Sequence, residues 1–442
     1  MSPITATPGF LPPQPDALLQ QLIRFDTTNP PGNETACIHY IRDLLASAGV
    51  ESTILALAPD RPNLMARLKG RGSSAPVLLY GHVDVVTTAG QPWQHPPFSG
   101  DIADGFIWGR GALDMKGGVA MMVSAFLRAA TSGDELPCDV VLAIVSDEEG
   151  GGDFGARYLV EQHAHLFKGI RYAMSEFGGF PMQLGIRNFY PIGVAEKQMC
   201  AIRATVHGPG GHGSMPMHGG AMARLAQLLH KLDTTRLPVR ITPAAQVMCE
   251  AVASGMPSPL DAMVRNVLDP AQTDMILDAL GEAGRNFDPL LHNTVNATIV
   301  RGGDKINVIP SEITVMLDGR MVPGARPADI LAELRQVCGD EVEFVVERFD
   351  EGPPAPDMGW FDMLTTILRE TDPDTITVPY MLSGVTDARF FTKLGIQTYG
   401  FLPIPAPITF EFARTIHAAD ERIPVNATAY GADCLYKALQ RA

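Results

Sequence analysis

With 442 residues and 46% hydrophobic content, the chain is long enough for two or three domains with large cores and too apolar for extensive disorder. Its 34 Lys and Arg against 49 Asp and Glu leave a formal net charge of −15, which argues against nucleic acid and anionic membranes as partners. No stretch reaches the roughly 18 to 20 uninterrupted apolar residues that span a bilayer, residues 1–16 lack the basic start and apolar core of a secretory signal, and the six cysteines, scattered without paired spacing, read as reduced thiols of a cytoplasmic protein.

From about residue 15 to 194, helical and strand patterns alternate. Helices are expected at Pro15 to Phe25, Glu34 to Ala48, Lys116 to Ala130 and Phe154 to His163, with strands at Pro76 to Tyr80 and Asp139 to Val145. Such alternation predicts a layered α/β domain with a mixed, largely parallel sheet. From about residue 195 to 349 the order becomes β-α-β-β-α-β: strand Met199 to Val206, helix Gly220 to Leu232, strands His292 to Ile299 and Glu312 to Arg320, helix Pro327 to Val337, strand Val342 to Val346. That order predicts an inserted ferredoxin-like α+β domain, interrupted by a helical insertion at about 234–289. The first domain, residues 1–194, then resumes over 350–442.

Four segments carry candidate chemistry. In Pro76-Val-Leu-Leu-Tyr-Gly-His-Val-Asp-Val-Val86, His82 and Asp84 lie two apart on an expected strand and so share a face, as a metal-bound imidazole and its acceptor would. Alone, His82 would more often be a satisfied core residue, and the carboxylate two positions on brings the two readings level. In Trp108-Gly-Arg-Gly-Ala-Leu-Asp-Met-Lys-Gly-Gly118, Asp114 falls at a loop-to-helix junction, where it is either a ligand or a helix cap. Ser146-Asp147-Glu148-Glu149-Gly150-Gly151 sets two glutamates where a strand meets a Gly-rich loop, and Glu176 ends a short apolar stretch at Ala173-Met-Ser-Glu. An isolated Glu-Glu pair is more often a solvated acidic loop. Together, however, His82, Asp114, Glu149 and Glu176 make a carboxylate-rich set suited to zinc, cobalt or manganese, with Glu148 left for proton transfer. A second metal needs a second histidine.

These motifs, spread from about Leu22 to Leu435, resemble those of the zinc-dependent aminoacylases, acetylornithine deacetylases, succinyl-diaminopimelate desuccinylases and glutamate carboxypeptidases. The resemblance implies two divalent ions, with zinc foremost. It makes His82 a ligand oriented by Asp84, Asp114 the carboxylate bridging both metals, Glu149 and Glu176 a ligand of one metal each, and Glu148 the general base. It makes His417, in Ala413-Arg-Thr-Ile-His-Ala-Ala-Asp-Glu421, the histidine that completes the second metal. It further implies that His212, in Gly208-Pro-Gly-Gly-His, polarises the scissile carbonyl. Asn307 and Arg320 would bind the substrate near its carboxylate, and Gly384, in Ser383-Gly-Val-Thr-Asp387, would let backbone approach it. The implied activity is hydrolysis of an amide next to a free carboxylate, on N-acyl amino acids or short peptides, by a homodimer formed through the inserted lid domain. A dipeptidase or aminopeptidase with the same metal pair is the alternative, and a non-catalytic metal-binding homologue the third reading.

Overall fold

The computed structural model describes residues 10–184, 187–405 and 412–442. Residues 1–9, on which the reading of the N-terminus partly rests, lie outside the described residues. The chain forms two compact units, one of residues up to Val194 with Asp357–Tyr380 and Thr386–Ala442, the other of Ala195–Pro356 with Met381–Val385.

The first unit is built on a mixed sheet whose centre is parallel. Strand Val77–His82 runs parallel to Val140–Val145 on one side and to Tyr172–Ser175 on the other, and Gln397–Gly400 runs parallel to Tyr172–Ser175. Val77–His82 and Val140–Val145 are buried at every position. Such continuous apolar runs form because helices cover both faces of a parallel sheet. Helix Lys116–Thr131 packs against Val425–Arg441 and Pro15–Ile23. A second cluster joins Leu78, Tyr80 and Val141 to Leu159, Phe390 and Phe391. Each fully buried Leu, Ile or Phe there stabilises the fold by about 1.5–3 kcal/mol.

The second unit carries an antiparallel sheet in the order Thr294–Arg301, Glu312–Met321, Gln198–His207, Val342–Phe349. With helices Ala221–Thr234 and Pro327–Cys338, this gives the β-α-β-β-α-β order and strand arrangement of a ferredoxin-like unit. Burial alternates along Glu312–Met321, the signature of a sheet with one covered face. Ile202, Val315, Leu317, Leu228 and Ile330 fill that face. Between Ala221–Thr234 and Thr294–Arg301 lie four helices, from Pro243–Gly255 to Glu282–Leu291. Among the described residues no helix is long and apolar enough to cross a membrane.

One expected strand is shorter than its sequence suggests. Within the run Pro76 to Val86 the strand ends at His82; Val83 N still donates to Val145 O on the neighbouring strand, whereas Val85 N donates to Thr27 O. Asp84 therefore lies beyond the end of the strand, and both its backbone O and its carboxylate approach His82 Nδ1.

Buried charge ties the strand ends together. Arg61 donates to both oxygens of Glu34 at 2.9 Å and, through Nη2, to Asp147 Oδ1 at 2.9 Å. All three residues are buried. Removing the guanidinium strands two carboxylates in a poorly solvated place, so Arg61→Ala should lower the unfolding free energy by about 3–5 kcal/mol. Denaturant unfolding checks this, and a loss below about 1 kcal/mol would show that the acids accept protons without cost.

Candidate metal centre

Parallel strands deliver their C-terminal ends to one edge of a sheet, where open α/β folds collect chemistry. His82 closes its strand opposite Val145, so Ser146–Glu149 emerge beside it, and Glu176 follows Ser175 on the neighbouring strand. Gly400 permits this convergence. A Cβ there would sit 2.3 Å from Phe177 O and 2.5 Å from Glu176 O. Asp114 and His417 arrive from loops instead. Gly117 lets the following helix close on the Asp114 loop, since a Cβ would fall 2.1 Å from Ala112 O.

Two triads result, His82 with Asp114 and Glu176, and His417 with Asp114 and Glu149. Asp114 Oδ1 lies 3.1 Å from His82 Nε2, and its Oδ2 lies 3.1 Å from His417 Nε2. His82 Nε2 is 3.7 Å from Glu176 Oε2, and His417 Nε2 is 3.0 Å from Glu149 Oε1. Asp114 is not a helix cap. The helix begins at Lys116 without a side-chain cap, and the Asp114 backbone N–H is taken by Glu421.

Asp84 binds the surroundings into one piece. Its Oδ1 lies 3.4 Å from His82 Nδ1 and accepts from Glu148 N at 3.1 Å. Its Oδ2 accepts from Glu149 N at 3.1 Å and from Asn29 Nδ2 at 2.8 Å. His82 Nδ1 also lies 3.0 Å from Asp84 O. Glu148 belongs to neither triad. Burial and the charge of Glu176 push its pKa well above the usual carboxylate range.

The donor set fits divalent cations. Burial, and then the charge of Asp114, push Glu176 up to about 8. Burial likewise raises Glu149. Burial opposes a charge on His82, but Asp114, Asp84 and Glu176 override it and hold the imidazole well above its usual pKa. Bonds to Asp114 and then to Glu149 push His417 up to about 10. Acids that resist ionisation beside imidazoles that resist neutralisation are the mark of a site short of positive charge. Two carboxylates and one imidazole for each ion, with one carboxylate shared, supply the missing complement.

In the second unit, Gly211–His212 pairs with Val308–Ile309, and Gly213 N donates to Asn307 O at 2.8 Å. His212 and Asn307 thus share one ribbon. His212 Nδ1 accepts from Ser214 N at 3.2 Å, which places the proton of the neutral ring on Nε2. Arg320 lies elsewhere on that unit's sheet, with Nε and Nη2 held by Asp318 at 2.7 and 3.1 Å. At Gly384 a Cβ would meet Leu382 at 3.8 Å, so among the described residues no close contact demands glycine there.

Sequence reasoning did not single out Asn29, Arg61, Arg110, Glu421 or Asp387. Arg110 and Glu421 stand inside the motifs of Asp114 and His417, and Asp387 inside that of Gly384. Asp387 is buried with neither carboxylate oxygen hydrogen-bonded. Burial pushes it up to about 7. A buried acid close to a ligand cluster is invisible in a single sequence.

A parallel-centred α/β sheet that gathers two histidine-carboxylate triads beside an uncommitted glutamate defines a metal-dependent hydrolase. The chain belongs to peptidase family M20/M25/M40, whose sequence profile matches residues 78–441. It is 29% identical over 384 residues to the human N-fatty-acyl-amino acid synthase/hydrolase PM20D1, a match covering 84% of this chain and 74% of that protein. It is 28% identical over 379 residues to the probable carboxypeptidase S-like 2 of Dictyostelium discoideum, covering 82% and 71%. The crystal structure of an M20 family metallo-carboxypeptidase, Sso-CP2 of Sulfolobus solfataricus, shares the fold with a TM-score of 0.69 at 17% identity, over 97% of this chain and 99% of that one.

At pH 7 the metal-free chain holds His417, pushed up to about 10, protonated, and the carboxylates around His82 favour its protonated form as well. A cation binds the neutral ring and must displace those protons. Metal uptake at pH 7 should therefore release protons and tighten as pH rises. Calorimetric titration in two buffers of different ionisation enthalpy measures the release, and a buffer-independent heat would mean that the imidazoles were already neutral.

Proposed function

We propose that the chain hydrolyses an amide bond next to a free carboxylate, on an N-acyl amino acid or at the C-terminal end of a short peptide. The observation that carries this reading is Glu148, set beside two triads that share Asp114 without belonging to either. The named activities of the two relatives, one toward N-fatty-acyl amino acids and one as a carboxypeptidase, point the same way.

His82, Asp114 and Glu176 would hold one ion, and Asp114, Glu149 and His417 the other. Bound there, divalent ions supply Lewis acidity, which polarises a carbonyl and lowers the pKa of a water from 15.7 to about 7. Glu148 takes the proton of the attacking water and later delivers it to the leaving nitrogen. Asp84 keeps the Glu148 and Glu149 amides fixed, so the base does not drift. His212 donates its Nε2–H to the carbonyl oxygen as charge develops, a contact worth about 3–4 kcal/mol in comparable sites. Arg320 and Asn307 would hold the carboxylate, and Gly384 would let backbone approach it. Zinc heads the choice of metal, ahead of cobalt and manganese, because each position offers one imidazole among oxygens. The free cysteines, all buried, agree with a reducing, cytoplasmic setting.

One observation favours the dipeptidase or aminopeptidase alternative. Arg320 is already engaged by Asp318, and an occupied guanidinium has less to offer a substrate carboxylate. A panel of N-acyl amino acids, C-terminally free peptides and unblocked dipeptides separates the two. Cleavage of unblocked dipeptides alone would overturn the proposal, and no cleavage with metal bound would leave a binding protein. Within the active panel, Glu148→Gln should retain metal while kcat falls by about 10²–10⁴-fold. Full turnover would remove Glu148 as the base.

The second unit also suits self-association. Its edge strand Thr294–Arg301 exposes Ile299 (47%) and Val300 (51%), an apolar edge of the kind that pairs with another strand. Light scattering should give the mass of a dimer, and Val300→Lys should shift it toward the monomer. An unchanged mass in the variant would rule out this edge.

A further inference from the structure

Asp114 and His417 come from loops far apart in the chain, and one buried ion pair joins those loops. Arg110 and Glu421 are 1% and 0% exposed, with Arg110 Nη1 donating to Glu421 Oε2 at 2.6 Å. Glu421 faces the Asp114 loop. Its Oε2 accepts from Gly111 N at 3.1 Å, and its Oε1 from Leu113 N at 2.8 Å and Asp114 N at 3.1 Å. Arg110 faces the His417 loop. Its Nη1 donates to Ala418 O at 3.1 Å and its Nη2 to His417 O at 3.3 Å. Gln91 closes the figure, accepting from Arg110 Nη2 at 2.7 Å and donating to His417 O at 2.8 Å.

The His417 backbone has φ of 61°, a conformation that a histidine adopts only when its surroundings hold it there. Two of the donors that hold it, Arg110 and Gln91, reach His417 through its backbone carbonyl and not through the imidazole that offers the ligand atom.

We propose that Arg110, with Glu421 and Gln91, is a positioning group for the metal site of Asp114, Glu149 and His417. It acts by aligning the His417 loop on the Asp114 loop, and it thereby sets the affinity of one of the two metal positions. This rests on the two-ion reading above. The other position draws His82 and Glu176 from strand ends, which the sheet fixes by itself.

Arg110→Lys keeps the buried charge beside Glu421 but loses the planar fork that reaches both carbonyls. Stepwise zinc titration of the metal-free full chain against a chromophoric chelator reads the two equivalents separately. In the variant one equivalent should weaken by about 10–100-fold, as losses of groups behind metal ligands do, while the other stays within about twofold. Two equivalents bound as in the unaltered chain, or both weakened alike, would overturn the proposal. A single equivalent in the unaltered chain would instead defeat the two-ion reading. Should Arg110→Lys fail to fold, Gln91→Leu decides by the same titration. Gln91 is only half-buried and its loss removes one tie to His417 O, so one equivalent should weaken by a smaller factor, and no difference between equivalents would count against the assignment.

Discussion

Asp114 offers one carboxylate oxygen to each of two histidines, and the first unit is arranged around that sharing. Two like charges about 4 Å apart repel by about 4 kcal/mol at an effective dielectric near 20. A fold that gathers Asp84, Glu148, Glu149 and Glu176 beyond the ends of adjacent strands, with Asp114 from a loop, accepts several such repulsions. Most surrounding features lower that cost. Asn29 and two backbone amides satisfy Asp84, Arg61 neutralises Asp147 and Glu34, and Arg110 neutralises Glu421. Among the described residues, the two triads have no lysine or arginine among their hydrogen-bond partners, which makes the place suited to divalent cations.

Much of the fold was legible because it obeys local rules. Continuous apolar runs such as Val140–Val145 announce strands buried on both faces, and the alternation along Glu312–Met321 announces a sheet with one covered face. Strand ends are legible as well, so His82, Glu148, Glu149 and Glu176 stand out by following such runs. The sequence reading stopped short where the chain turns. Asp84 was read as the strand partner of His82, yet the strand ends at His82 and Val85 bonds instead to Thr27 and Asn29. Nothing local marks those partners.

The groups behind the centre were hidden for a related reason. Arg61 with Glu34, Asn29 with Asp147, and Arg110 with Glu421 are pairs between segments distant in the chain. Periodicity reports which face a residue occupies, not which remote residue it meets. His417 was reached through resemblance alone, since its loop has no regular pattern. The same limit applies to Arg320. Its place in a strand was readable, but its engagement by Asp318 two residues away depends on side-chain conformation, which alternation does not encode.

Charge balance gives a reason for two ions rather than one. The ligand set of Asp114, Glu149 and Glu176 carries three negative charges when ionised, and its two imidazoles are neutral when ligated. A single divalent ion leaves that set with a surplus negative charge, so an ionised Glu148 beside it would add a second and would hold its proton instead. Two divalent ions leave a surplus positive charge, which an ionised Glu148 cancels. In the metal-free chain, burial holds the proton affinity of Glu148 above that of an ordinary carboxylate. On the proposed reading, a second ion held by Asp114, Glu149 and His417 would leave Glu148 ionised and free to accept a proton.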